Sequence, residues 1–290
     1  MKIAVASGKG GTGKTTVATS LALALSGTGT PISCLDCDVE APNAHIFLQP
    51  DIRQRQPVNI LIPEVDIEAC TGCGRCAEVC QYHAIVVLGT KPFVFPQLCH
   101  GCGSCAALCP DKAITEIPKP MGMLESGTTK EGITFARGVL DVGEPMAVPV
   151  IRQLKKWQNL LAADVVVLDS PPGASCPVVE TLKGADYVLL VTEPTPFGLH
   201  DLKLAVELTR ELDIPCGVIV NRHGIGDDCV DEYCCSAGLP ILMRIPFDRE
   251  IGHAIARGKT LLDIHPEYSQ RFQDLYRQVE AMVYTREGAK

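Results

Sequence analysis

The sequence has no surplus of positive charge, no long apolar run and no leader-like N-terminus. Its 26 Lys and Arg are outnumbered by 34 Asp and Glu, for a formal charge of −8. That excludes a broad nucleic-acid footprint, although a total is silent about a local patch. No stretch reaches the roughly 18 consecutive apolar residues that suggest a transmembrane helix. Met1-Lys2-Ile3-Ala4-Val5-Ala6 runs straight into a glycine loop, without the apolar core or cleavage site of a secretory leader. A cytoplasmic chain without a membrane anchor is the expectation. What the chain does have is cysteine: 15 residues, eight of them between Cys70 and Cys109. In a reducing compartment a chain of 290 residues needs no disulfides, so regular thiol clusters read as metal ligands or redox groups.

The apolar runs have the grammar of an α/β domain. A short strand at residues 3–7 leads into GKGGTGKTT at 8–16, a helix to about residue 25, and a strand at 31–35 ending in Asp36-Cys37-Asp38. Further on, 151–161 reads as a helix, and 165–168, 187–191, 217–220 and 241–245 as buried strands; another helix spans about 198–211. The runs do not alternate, as expected for strands of a mostly parallel sheet covered on both faces. Functional residues then belong at the strands' C-terminal ends. A last helix, about 266–286, sets Phe272, Leu275, Val279 and Met282 at core-packing spacing. Residues 64–118 differ in character: two cysteine clusters, two short apolar runs and no obvious long helix. They read as a small insert in one α/β domain formed by 1–63 and 119–290.

GKGGTGKT fits G-x-x-x-x-G-K-[ST], with Gly8, Gly13, Lys14 and Thr15 at the required positions. Gly10, Gly11, Thr12 and Gly13 let backbone N–H groups curve round phosphate at a helix N-terminus. Lys14 can reach the β- and γ-phosphates, and the Thr15 hydroxyl can ligate Mg²⁺. Asp169 follows a buried strand, where a carboxylate can hold Mg²⁺ directly or through water. Of Asp36 and Asp38, one can orient the attacking water and the other assist at Mg²⁺, while a simple turn is the alternative.

Lys9 is unusual, a second lysine five residues before Lys14. Lys9-Gly10-Gly11-Thr12-Gly13-Lys14-Thr15-Thr16 resembles the K-G-G-x-G-K-[ST]-[ST] signature of the deviant Walker A ATPases, the MinD/ParA/Mrp class that includes the nitrogenase iron protein. The resemblance covers almost the whole chain outside the cysteines. It implies a homodimer, or a heterodimer with a related ATPase, in which Lys9 crosses to the partner's nucleotide. It also implies that Asp38 orients water, that Asp169 serves Mg²⁺, that Asn221 contacts adenine, and that Pro246, Phe247 and Asp248 close over the base.

The cysteines fall into two runs, Cys70-x2-Cys73-x2-Cys76-x3-Cys80 and Cys99-x2-Cys102-x2-Cys105-x3-Cys109-Pro110. This duplication is the signature of bacterial two-cluster ferredoxins. The resemblance implies crossed ligation of two [4Fe–4S] clusters: Cys70, Cys73, Cys76 and Cys109 on one, Cys99, Cys102, Cys105 and Cys80 on the other. Gln81 departs from the proline that usually follows the fourth cysteine. Two Cys₄ zinc sites also match the count, though four thiols at x2-x2-x3 are packed more regularly than paired C-x2-C zinc sites. Cys229, Cys234 and Cys235 form a further group, open between metal handling and local packing.

These features lead to a Mg²⁺-dependent ATPase whose dimer cycle controls a ferredoxin module, for electron transfer to, or redox control of, a partner protein. The alternative is an ATP-dependent carrier or assembly protein for iron–sulfur clusters or metallocentres. A positioning protein like MinD or ParA fits less well, for the last helix lacks the basic excess that favours a membrane surface.

Overall fold

The computed structural model describes residues 1–157 and 163–288. In chain order, β1 (Lys2–Ala6), α1 (Lys14–Ser26), β2 (Ile32–Asp36) and α2 (Ala44–Leu48) open the fold. A long strand, β3 (Asp51–Val65), leads to α3 (Arg75–Glu78), β4 (Ile85–Leu88), β5 (Lys91–Val94) and α4 (Ser104–Ala107). The chain returns through β6 (Ile114–Thr128) and β7 (Thr134–Leu140) to α5 (Val148–Lys156), β8 (Val165–Asp169), α6 (Cys176–Leu182), β9 (Tyr187–Thr192) and α7 (Pro196–Glu211). It closes with β10 (Cys216–His223), α8 (Cys229–Ala237), β11 (Ile241–Pro246), α9 (Arg249–Ile255), α10 (Leu261–Ile264) and α11 (Tyr268–Gly288).

One nine-stranded sheet organises the chain, in the order β11-β10-β9-β1-β8-β2-β7-β6-β3. From β11 to β7 every pairing is parallel; β6 then runs antiparallel to both β7 and β3. The central strands β1, β2, β8 and β9 are buried along almost their whole length because both faces are covered. In β8, Val165 and Val167 face one core with Val17 and Leu21 of α1 and Phe272, Leu275 and Val279 of α11. Val166 and Leu168 face the other, with Ile151 and Leu154 of α5 and Val206 of α7. The period-2 alternation of side chains thus splits a continuous apolar run between two cores.

The mostly parallel α/β sheet agrees with the sequence reading, with differences of detail. The helix expected at 151–161 runs from Val148 to Lys156; the rest of the expected span, 158–161, lies outside the described residues. Met282 is not core: it is 38% exposed, and Val283, 9% exposed, takes the buried position on α11. A 3-4-4 spacing from Phe272 keeps the stripe on the helix face better than 3-4-3.

The largest surprise is the β3–β6 ribbon, paired from Asp51↔Thr128 to Val65↔Ile114. Its far half extends beyond β7, whose pairing with β6 reaches only Gly122. Residues 66–113 are mounted on that overhang, with β4 and β5 forming their own hairpin. Val58, Ile60 and Ile62 of the ribbon share a core cluster with Leu35, Cys37 and Val39 on one side and Ala84 and Cys99 on the other. The cysteine-rich stretch is therefore joined to the main sheet by continuous packing.

Candidate functional site

The loop between β1 and α1 wraps the C-terminal edge of the central strands. Gly13 caps α1 at φ 98°, a left-handed conformation that glycine adopts without strain. Gly8 is fixed by packing instead: a Cβ there would sit 2.2 Å from the Asp201 carbonyl oxygen in the second turn of α7. Asn221, at the end of β10, donates its amide N–H to the Thr12 carbonyl at 2.7 Å. Beside it, Pro246, Phe247 and Asp248 at the end of β11 complete a cleft of about 420 Å³ that also takes in Gly11, Gly13 and Thr16. Asp248 already has local partners: one oxygen accepts from the Glu250 N–H at 2.7 Å, capping α9, and the other lies 3.3 Å from His265 Nε2.

Four charged groups meet under the loop. Lys14 is 7% exposed, and burial lowers its pKa against the opposing pull of Asp169 and Asp38. Asp169 is fully buried at the end of β8, and neither carboxylate oxygen makes a well-formed hydrogen bond. Burial, and then the Asp36 charge, push its pKa well up; the Thr15 hydroxyl and Lys14 oppose this. A fully buried, unpartnered carboxylate beside the P-loop threonine is costly in isolation. It fits a hard dication, which would supply the missing partner.

Asp36 and Asp38 divide differently. The Asp36 carboxylate accepts backbone N–H bonds from Asn43 and Ala44, both at 2.9 Å, and from Asp38 at 3.2 Å. It thereby ties residues 37–44 and the start of α2 to the end of β2; burial pushes its pKa up to about 7. Asp38 is only partly buried, its pKa raised by burial and lowered by Lys14. Of the two, Asp38 is the freer to meet a ligand.

Two residues had no assigned part in the sequence reading. Glu193, 6% exposed in the loop after β9, lies 3.4 Å from Lys9 Nζ and 2.6 Å from Arg222 Nη1. Arg222 holds φ 53° immediately after Asn221, a strained backbone often found at functional loops. Thr-Glu-Pro-Thr-Pro at a strand end was the available signal for Glu193, but its partners come from two other loops.

The eight clustered cysteines gather into two cavities. Cys70, Cys73, Cys76 and Cys109 line the outer one with Val65 and Ile114 at the ribbon's end. Cys80, Cys99, Cys102 and Cys105 line the inner one with Leu61, Pro63 and Glu116, nearer the sheet. Backbone N–H groups donate to sulfur from Ala84 to Cys80 (3.3 Å), Ala113 to Cys109 (3.4 Å) and Gly101 to Cys99 (3.5 Å). Gly72, Gly74, Gly101 and Gly103 all hold φ between +64° and +79°, turning the backbone round the cavities. Among the described residues no three His, Cys, Asp or Glu side chains converge tightly enough for a single metal ion. That includes Cys229, Cys234 and Cys235 on α8, where Cys234 is buried and Cys235 exposed. The framing of each cavity by four thiols and N–H donors to sulfur fits a polynuclear cluster spread between them.

A glycine loop opening a helix, a lysine beneath it and an unpartnered strand-end aspartate define a P-loop nucleoside triphosphatase on a mostly parallel sheet. Residues 3–261 match the CobQ/CobB/MinD/ParA nucleotide binding domain, and the chain belongs to that family. It is a P-loop ATPase. An uncharacterized protein of Methanocaldococcus jannaschii is 31% identical over 285 residues, covering 98% of each chain. An iron-sulfur cluster carrier protein of Aquifex aeolicus is 28% identical over 283 residues, which span 91% of this chain and 62% of that one. Among solved structures, the septum site-determining protein MinD of Pyrococcus horikoshii with Mg-ADP has a similar fold, at TM-score 0.59 and 19% identity over 97% of this chain and 96% of that one. No described helix is long and apolar enough to cross a membrane.

Proposed function

We propose that this ATPase serves iron–sulfur chemistry, its nucleotide cycle driving the assembly of clusters or their delivery to an apo-protein. Residues 1–63 and 119–290 form the ATPase unit, and 64–118 a ferredoxin-like insert holding two [4Fe–4S] clusters. The observation that carries this reading is the gathering of eight cysteines into two four-thiol cavities on a ribbon packed into the nucleotide sheet's own core. The relatives named as iron-sulfur cluster carriers support it, including the one from Aquifex aeolicus.

In this reading Lys14 and the loop N–H groups bind the ATP phosphates, and Thr15 and Asp169 hold Mg²⁺. Asp38 orients the attacking water. Asn221 and residues 246–248 receive the base. Lys9, held by Glu193 in the single chain, turns to the partner's phosphates when two ATPase subunits pair. Nucleotide thereby selects between paired and separate states, each with its own affinity for the cluster-receiving partner. Bound clusters would supply one-electron chemistry or serve as cargo.

A second reading, electron transfer to a partner, is favoured by one observation. Each cavity has its full complement of four thiols with N–H donors to sulfur, a set suited to resident clusters. Anaerobic purification with iron and sulfide quantification, then mixing with an apo-ferredoxin with and without ATP, separates the two. ATP-dependent movement of iron to the acceptor supports the carrier. Reversible bleaching with all iron retained supports electron transfer, and a protein without iron or sulfide refutes both.

A further inference from the structure

Strands β10, β9 and β1 lie side by side in the sheet, and their C-terminal ends bring Arg222, Glu193 and Lys9 together at the rim of the nucleotide cleft. The carboxylate is the fixed member. The Glu193 carbonyl accepts from the Thr195 N–H at 2.8 Å, and α7 starts so close that a Cβ at Gly198 would lie 2.2 Å from that carbonyl oxygen. Thr192 donates its hydroxyl to the Gly198 carbonyl at 2.9 Å, tying the same turn to the helix. The Glu193 side chain itself is buried.

The two cations are held unequally. Both side chains reach solvent, Lys9 at 33% and Arg222 at 48% exposed, so neither is locked in by packing. Arg222 Nη1 lies 2.6 Å from one Glu193 oxygen, and Nη2 also reaches the Gly11 carbonyl at 3.5 Å. Lys9 Nζ stands off the other oxygen at 3.4 Å, the looser contact. The Lys9 main chain is anchored, its carbonyl accepting from the Ser7 hydroxyl at 2.5 Å, which leaves the side chain as the part that can swing. Withdrawing the cation from a buried carboxylate normally strands a charge at high cost. Here Glu193 keeps Arg222 when Lys9 goes.

We infer that Glu193 and Arg222 form a latch for Lys9: Glu193 parks the lysine in the single chain, and Arg222 alone neutralises the carboxylate once Lys9 has left for the partner's phosphates. Glu193 is thus a positioning residue that sets how much ATP pairing requires. A parked lysine weakens pairing by the fraction of time it is unavailable, and the standing guanidinium keeps that fraction small. The inference rests on the reading that Lys9 crosses between paired subunits.

Sedimentation velocity of the full chain, titrated with a non-hydrolysed ATP analogue, gives the midpoint of pairing. Each midpoint is divided by that variant's own dissociation constant for ADP, which removes changes in cleft affinity. Glu193→Gln keeps the shape and frees Lys9, and should lower the normalised midpoint about 3- to 10-fold. Arg222→Ala leaves Glu193 with Lys9 alone and should raise it, while Arg222→Lys, which restores a cation, should return it toward wild type. Opposite signs are the signature, because groups that merely supported the loop would impair pairing alike when either was lost. Unchanged midpoints, or two variants that shift the same way, overturn the inference; if Lys9→Ala still prevents pairing, the crossing reading survives. A wild type already paired without nucleotide also overturns the latch. Lys9→Ala that pairs and hydrolyses ATP as the wild type does overturns the crossing reading and the inference with it.

Discussion

The nucleotide cleft and the cysteine ribbon are built on opposite principles. Under the cleft, the ends of β1, β2 and β8 are fully buried, and the catalytic candidates are fixed by the central strands of a doubly covered sheet. The cysteine-rich stretch on the ribbon has two four-residue helices, α3 and α4, with no buried residue in either. It leaves Ile67, Leu88, Phe93, Leu98 and Leu108 between 47% and 67% exposed. A site set in a core keeps its geometry without its ligand, whereas one framed by turns needs the ligand to hold it. The contrast teaches that the nucleotide site is preformed, whereas the cysteine cavities, on the proposed reading, would be completed by the clusters they hold.

The strongest way to break that contrast is to remove one charge from the cleft. Lys14→Ala should reduce ATP hydrolysis by about 100-fold or more, the scale of losing a transition-state charge donor, with iron content unchanged. A parallel loss of iron would mean that the ribbon needs a working cleft to fill. Asp169→Asn should lower hydrolysis to a similar degree yet raise the melting midpoint in Mg²⁺-free buffer, because it removes an unpartnered buried carboxylate. The raised Asp169 pKa sharpens the sign: the wild-type folded state holds that proton more tightly than the unfolded chain. Its stabilising effect is complete below the ordinary carboxylate range and is lost as pH rises through the raised folded value. The gap between Asp169→Asn and wild type, followed by thermal melting, should therefore widen toward higher pH.

Removing metal is the complementary test on the ribbon. Chelation under air should leave residues 66–113 open to limited proteolysis, while the β1–α1 loop still binds nucleotide. The expected fragments begin or end within that stretch; cleavage spread through the central sheet would show that the whole chain depends on the metal removed.

Much of the cleft was legible in the sequence because its signals are local. GKGGTGKT, the apolar run ending at Asp169 and the IVNR stretch around Asn221 each sit at a strand end, where a parallel sheet puts its ligands. The ribbon was not legible. Pro57, Pro63, Pro118 and Pro120 punctuate β3 and β6, and Arg53-Gln54-Arg55-Gln56 has no apolar face. Prolines are tolerated there because β3 is the sheet's edge and because Pro118 and Pro120 lie past the point where β7 pairs with β6. Glu193 was missed for another reason: it acquires its role only from Lys9 and Arg222, brought in from separate loops.

The smallest expected effect bears on what joins the two regions. One register row crosses the sheet from Asp169 through Asp36, Arg137 and Glu125 to Arg55, passing from β8 to the ribbon strand β3. Glu125 is 8% exposed and accepts from Arg137 Nε at 2.8 Å and Arg55 Nε at 2.9 Å. Burial works to raise its pKa, but the two guanidiniums together outweigh it and hold it below the ordinary carboxylate value. That depression contributes stability present above the unfolded pKa and lost as pH falls through the folded one. Glu125→Gln should cost about 2 kcal/mol near neutral pH, chiefly by stranding Arg137, and the deficit should shrink in acid. Arg55 is largely exposed and adds little. If the row also carries the position of α2 to the ribbon, Glu125→Gln should lessen the ATP-dependent change in ribbon proteolysis while leaving ATP affinity intact. Equal protection with and without ATP in the wild type would mean that the ribbon is braced by this row and not moved through it.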